Sequence, residues 1–275
     1  MAAAYDARRL NLFRTSTLGD AMALFDLTGR VAIVTGGNGG IGLGMARGFA
    51  VAGAAVVVVG RNEKKNKDAV KELKALGAKV SSQVVDVTRE AACKKMAKDA
   101  LKAHGRIDIL VNNAGTNIRK QPEEYTDEEW RFLIDTNLTS AFHCSRAVYP
   151  MMKKAGGGKI INIGSMMSIF GASFTAPYAA TKGGMVQMTR AFACAWAKDN
   201  IQVNSVLPGW IDTDLTRKGR QQIPGLHERV VARTPAGRWG TPDDHQGIAV
   251  FLGGPGSDFV TGTAIPIDGG YSVQG

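Results

Sequence analysis

Four residues of the 275-residue chain have the types and spacing that proton chemistry uses: Asn137, Ser165, Tyr178 and Lys182. Tyr178 and Lys182 stand four apart and share one face of a helix. An ammonium beside a phenol favours phenolate and lowers a pKa that is ~10 in free tyrosine. A tyrosine so placed can take up and return a proton near neutrality. Ser165, just past an apolar run, offers a hydroxyl to a substrate oxygen and supplies the electrophilic half of the chemistry. A bound nicotinamide would carry the hydride.

A dinucleotide needs a cradle, and the chain has a candidate. The run Thr35-Gly36-Gly37-Asn38-Gly39-Gly40-Ile41-Gly42 follows a β-branched stretch and opens an apolar helical one. Glycines there let backbone amides at a helix start approach a pyrophosphate, with Gly36, Asn38, Gly40, Ile41 and Gly42 as the contacts. The usual pattern places a carboxylate at the end of the second strand, where it bonds the adenosine ribose. This chain has Gly60-Arg61 instead. A carboxylate repels a 2′-phosphate, whereas a guanidinium pairs with one, with Lys64 and Lys65 nearby as support, so the reading favours NADP(H) over NAD(H).

These residues must be positioned by the elements around them. Short apolar runs near 31–35, 55–60, 80–86, 107–112, 159–164, 201–206 and 264–267 alternate with longer amphipathic or Ala-rich stretches. Runs such as Val56-Val57-Val58-Val59 lack clean alternation, as strands covered on both faces do. The expectation is a single-domain α/β fold of about seven strands in a doubly wound parallel sheet, with its ligand at the carboxyl ends of the strands.

The ordered set of motifs resembles the short-chain dehydrogenase/reductase family over residues 26–270. The set comprises the glycine run, Asp86-Val87 after the third strand, Asn112-Asn113-Ala114-Gly115 after the fourth, Asn137, Ser165, Tyr178-x-x-x-Lys182, Pro208-Gly209 with Thr213, and Asp268-Gly269-Gly270. The resemblance implies a Rossmann fold and an NAD(P)-dependent enzyme acting on CH–OH groups. It implies adenine contacts from Asp86 and Val87, and a cofactor lining from Asn113, Ala114 and Gly115. Pro208, Gly209, Ile211 and Thr213 would close over the nicotinamide carboxamide. Lys182 would also bind the nicotinamide ribose, with Tyr178 beside it. Asn137 would distort its helix and hold a water that links Lys182 to solvent.

Within that family, residues 163–168, 208–213 and 236–240 are similar in wording to members acting on sugars and sugar acids, such as gluconate, deoxygluconate and glucose dehydrogenases. Asn117-Ile118-Arg119 and the segment 209–235, with Arg217, Arg220, His227 and Arg229, are candidates to meet a substrate carboxylate. Two alternatives stand beside this reading. A 3-oxoacyl-[acyl-carrier-protein] reductase shares the catalytic set and would use basic surface to dock its carrier. A non-catalytic dinucleotide-binding sensor would keep the glycine loop without the acid/base set.

Composition narrows the field. Net charge is +10, from 34 basic and 24 acidic residues, but the basic residues are scattered and no nucleic-acid partner is expected. Cys93, Cys144 and Cys194 are far apart and odd in number, which speaks against a disulfide framework and for a reducing, cytoplasmic location. No run approaches the ~18 to 20 apolar residues of a membrane span, so no membrane partner is expected. The histidines form no ligand spacing and Ser165 lacks a nucleophile elbow, so no metal is expected, and chelation should leave activity intact. Residues 1–21 read as a flexible N-terminal extension to a domain over 22–275. The Ala- and Met-rich stretches 127–154 and 176–198 look like the faces with which family members form homotetramers.

Overall fold

The β-branched runs become strands because alternate side chains bury into two different cores. In β1 (Val31–Thr35), Ala32 and Val34 join one apolar layer while Val31 and Ile33 join the other. A strand covered on both faces has no polar side to show, which is why these runs read as continuous apolar stretches. The computed structural model describes residues 18–275. The remaining strands are β2 (Ala55–Gly60), β3 (Val80–Val84), β4 (Ile109–Asn112), β5 (Gly158–Ile163), β6 (Ile201–Pro208) and β7 (Ala264–Ile267). All pairings are parallel, in the order β3-β2-β1-β4-β5-β6-β7.

The sheet reverses its winding between β1 and β4, so the loops leaving those two strands diverge and open a crevice. On one face pack α2 (Gly40–Val51), α3 (Glu63–Ala75) and α10 (Gln246–Gly253), with Met45, Phe49, Leu73 and Leu252 in the core. On the other pack α4 (Glu90–His104), α6 (Ser140–Lys154) and α7 (Ala176–Trp196), through Met96, Val148, Met152 and Ala193. Phe49 is fully buried, and its truncation to Ala would cost roughly 3–5 kcal/mol.

Two shorter helices, α8 (Asp214–Gln222) and α9 (Leu226–Arg233), follow β6 and overhang the crevice. At the other end, α1 (Leu18–Ala23) takes in the last residues of the expected extension, and the Leu24 carbonyl accepts from Gly256 N at 3.2 Å. The flexible arm read from the sequence otherwise falls on 1–17, outside the described residues. Among the described residues no helix is long and apolar enough to cross a membrane.

Candidate active site

Each strand on the site side ends in a residue that the sequence had singled out. Beyond β1, the glycine run turns into α2 with Gly39 as N-cap and no side-chain cap, so the first amides of the helix have no side-chain partner. A pyrophosphate fits such an end. Gly40 sits at φ +51°, a conformation that only glycine adopts cheaply. At Gly42 a Cβ would stand 2.4 Å from Asn113 Nδ2 and 2.5 Å from Gly36 O, so the loop closes only without a side chain there. Thr35 Oγ1 accepts from the amides of Asn113 and Ala114 at 3.0 and 3.1 Å, while Asn113 Nδ2 donates to the carbonyls of Thr35 and Gly36. These bonds tie the loops after β1 and β4 together at the crevice, in a shape that suits a dinucleotide.

At the adenosine end, Arg61 follows β2 and is exposed. Asp86 follows β3, and its carboxyl is held below the usual range, mainly by the Thr88 hydroxyl at 2.8 Å and further by the Thr88 amide and the nearby guanidinium of Arg61. Val87 is buried beneath it. Of the two lysines expected to support Arg61, Lys65 is engaged across the crevice with Asp214 at 3.2 Å. An exposed carboxylate at the start of α8 reaches it first.

The catalytic candidates converge from three elements. Ser165 lies two residues past the end of β5, and its Oγ accepts from Met167 N at 3.1 Å, so it also caps the turn Met166–Ser168. With a lone pair taken by that amide, the hydroxyl proton is left to donate outward. Tyr178 and Lys182 lie in the first turns of α7 and line one cavity with Ser165, Asn113, Gly115, Ile41, Pro208, Gly209, Ile211 and Thr213. Lys182 Nζ stands 5.5 Å from the Tyr178 ring centre and donates to Ile163 O at 2.7 Å.

The acidities correct one expectation. The sequence reading has Lys182 lowering the phenol pKa; here the Tyr178 pKa is raised. Burial is the dominant cause, with the Ser165 hydroxyl and the Arg119 charge opposing it. The lysine bonds the Ile163 carbonyl instead of the phenol, and burial brings its own pKa down to about 8.

Asn137 lies in a widened π-type turn, Asp135–Thr139, between α5 (Asp127–Ile134) and α6. Its side chain accepts from Thr116 N at 2.8 Å and donates to Thr116 O at 2.9 Å and Thr181 Oγ1 at 3.3 Å. A Cβ on Gly115 would meet Asn137 Oδ1 at 3.2 Å and Lys182 Nζ at 3.8 Å, so Asn137, Gly115 and Lys182 form one tight corner.

The substrate side sorts the basic candidates. Arg217 and Arg220 both pair with Asp212, His227 stacks on Trp239, and Arg229 bonds the Pro224 carbonyl. Arg119 alone of that group lines the cavity beside Tyr178. Its guanidinium is half-buried, donates to Leu215 O and Gln222 Oε1 at 3.3 Å each, and forms no ion pair among the described residues. Burial pulls its pKa down. Sequence reasoning missed Phe174 and Thr175 as cavity lining, since no spacing rule links loop residues to a site, while Leu215 falls within the 209–235 segment it named. Trp210, in the Gly-Trp step after β6, also lines the cavity, and a glycine-tryptophan pair just past a strand end is a usable signal for such a residue.

This geometry, a dinucleotide crevice at the switch point with Ser, Tyr and Lys at its edge, defines a hydride-transfer enzyme, and the chain belongs to the short-chain dehydrogenase/reductase family. It is an NAD(P)-dependent oxidoreductase. A family model described as enoyl-(acyl carrier protein) reductase matches residues 36–272. A tropinone reductase homologue of Arabidopsis thaliana is 39% identical over 252 residues, covering 91% of this chain and 95% of its own length. The gluconate 5-dehydrogenase of Gluconobacter oxydans is 39% identical over 251 residues, covering 91% and 98%. A crystal structure of a gluconate 5-dehydrogenase from Burkholderia cenocepacia, in complex with NADP and tartrate, has a TM-score of 0.88 at 39% identity, covering 92% and 99%.

Proposed function

We propose that the enzyme interconverts a secondary alcohol and a ketone on a sugar acid, using NADP(H). The observation that carries the substrate class is Arg119, a half-buried guanidinium beside Tyr178 with no carboxylate of its own among the described residues. A cation left without a counter-charge in a pocket is stabilised by an anionic ligand, and its planar fork suits a carboxylate. The relatives named for gluconate, and the one crystallised with tartrate, support the same class. Arg61 in place of an acidic residue, and NADP in structural neighbours, support the cofactor preference.

The nicotinamide supplies or accepts the hydride. In the oxidising direction Tyr178, as phenolate, takes the hydroxyl proton from substrate while Ser165 Oγ, its lone pair engaged by Met167 N, donates to the same substrate oxygen. Lys182 bonds the Ile163 carbonyl and not the phenol. The phenol proton therefore reaches it through a bridging hydroxyl or water, and goes on to solvent through a water at the widened turn that Asn137 anchors. Arg119 holds the carboxylate so that the reacting carbon faces Tyr178.

We also propose a homotetramer. Tyr149, Trp196, Phe192 and Phe142 form a stacked aromatic row across α6 and α7, and Phe142 is 37% exposed at its end. Light scattering showing a monomer would refute this.

The test of function is a matrix of initial rates: NAD+ and NADP+ against aldonates, uronates, aldoses and polyols, with acetoacetyl thioesters in reverse. Turnover of an aldonate with NADP+ is expected. Turnover of thioesters alone would move the enzyme to the carrier-protein reductases.

A further inference from the structure

Asn66, on α3, takes no part in the chemistry above, yet it is 1% exposed and fully hydrogen-bonded beside the adenosine end of the crevice. Its Nδ2 donates to Gly60 O at 3.0 Å and to Gln83 O at 3.1 Å. Both partners are carbonyls, which only accept, so the orientation of the Asn66 amide is fixed and its Oδ1 faces the other way. There it accepts from Asn38 Nδ2 at 2.6 Å. An amide oxygen cannot donate, so Asn38 must in turn present its nitrogen to Asn66. Asn38 is left with one N–H and its Oδ1 for whatever enters the crevice.

One buried side chain therefore joins three segments: the phosphate loop through Asn38, the end of β2 through Gly60, and β3 through Gln83. The packing is close. A Cβ on Gly60 would stand 2.3 Å from Asn38 Nδ2 and 2.7 Å from Asn66 Oδ1, so the residue before Arg61 has no room for a side chain. The peptide that carries Arg61 is thus held from the inside by Asn66.

We infer that Asn66 is a positioning residue for the ribose 2′-phosphate, setting selectivity for NADP over NAD through Asn38 and the Gly60–Arg61 peptide. This rests on the NADP preference proposed above. It adds a determinant that touches no cofactor and lies behind the residues that do.

The test is the ratio of kcat/KM for NADP+ to kcat/KM for NAD+, measured on the full chain. In Asn66→Leu the ratio should fall by about tenfold, the size of one lost hydrogen-bonded orientation, with kcat at saturating NADP+ within about twofold of wild type. Asn38→Ala should lower the ratio too, and the double variant should fall by clearly less than the product of the two single effects, because the two side chains share the Asn38–Asn66 contact. A merely structural role would depress both cofactors equally and leave the ratio unchanged, and that result overturns the inference. So do additive effects of the two substitutions. Asn66→Ser is read the same way if the Leu variant is not recovered folded. A wild-type enzyme that prefers NAD+ would sink the cofactor reading itself, and this inference with it.

Discussion

The two walls of the crevice are built differently. The wall formed by the loops after β1, β4 and β5 is held by buried neutral bonds. Asn112 Nδ2 donates to Asn162 Oδ1 at 2.8 Å, Asn162 Nδ2 donates to Thr189 Oγ1 at 2.8 Å, and Asn137 clasps Thr116 from both sides. The wall formed by residues 209–240 is held by surface ions and stacked rings. Asp212 pairs with Arg217 and Arg220, Lys65 with Asp214, and Trp210 meets Trp239 edge-on at 5.6 Å. Exposed pairs are worth ~0–1 kcal/mol each and weaken with salt, while buried hydrogen bonds are costly to break. The chemistry thus sits on the rigid wall. The wall that must admit substrate and cofactor is the one whose ties are cheap to release.

The first way to break that comparison is to strike the rigid wall at its chemistry. Tyr178→Phe should lower kcat by about 10²–10⁴ while leaving dinucleotide binding, followed by fluorescence titration, nearly unchanged. A sensor would have no turnover to lose. Because burial raises the phenol pKa, alcohol oxidation should still be climbing above neutral pH as phenolate forms.

Next in size is the stability cost of Lys182. Its folded pKa of about 8 lies below the ordinary 10.5, so at pH 7 the buried ammonium costs the free protein roughly 3 kcal/mol. That cost is complete below pH 8, fades as pH rises towards 10.5, and is absent above. Lys182→Met should therefore raise Tm at pH 7, lose that advantage near pH 10.5, and abolish turnover. Thermal melts across that range decide it; a lowered Tm at pH 7 would contradict the burial argument.

Smaller still, Arg61→Ala should cut kcat/KM for NADP+ by about tenfold to a hundredfold and leave NAD+ nearly untouched, as for a lost charge-assisted contact. A preference for NAD+ in wild type that survives the substitution would remove Arg61 from phosphate recognition. The smallest effect belongs to the loose wall: Asp212→Asn should change stability by less than about 1 kcal/mol. Its KM for substrate should respond more than its Tm, and a large drop in Tm would show the two walls to be alike.

The same division governs what could be read from the sequence. The rigid wall was legible because its residues obey local rules. Glycines at Gly40 and Gly42 answer to backbone conformation and close approach, Tyr178 and Lys182 to helical spacing, and each strand of the parallel sheet to its continuous apolar run. Asn66 was not legible, since a lone Asn on a helix rich in lysine reads as a solvated face until the fold turns it inward. Around the substrate, sequence could name Arg119 after β4 and Arg217, Arg220, His227 and Arg229 on the loose wall, but not choose among them. The choice depended on where Asp212 falls and on which guanidinium lines the cavity beside Tyr178, and neither is a local property. The phenol acidity went the other way for a similar reason. Spacing fixed the distance between Tyr178 and Lys182, but burial and the Ile163 carbonyl decided the charge.

The central claim is that a carboxylate held by Arg119 presents the reacting carbon to Tyr178. The most direct test compares an aldonate with its uncharged aldose on wild type and Arg119→Ala, with NADP+ saturating. The account predicts that kcat/KM for the aldonate falls by about tenfold to a hundredfold, mostly through KM, while that for the aldose stays within about threefold. Equal losses on both substrates, or an aldonate rate indifferent to the substitution, would contradict it.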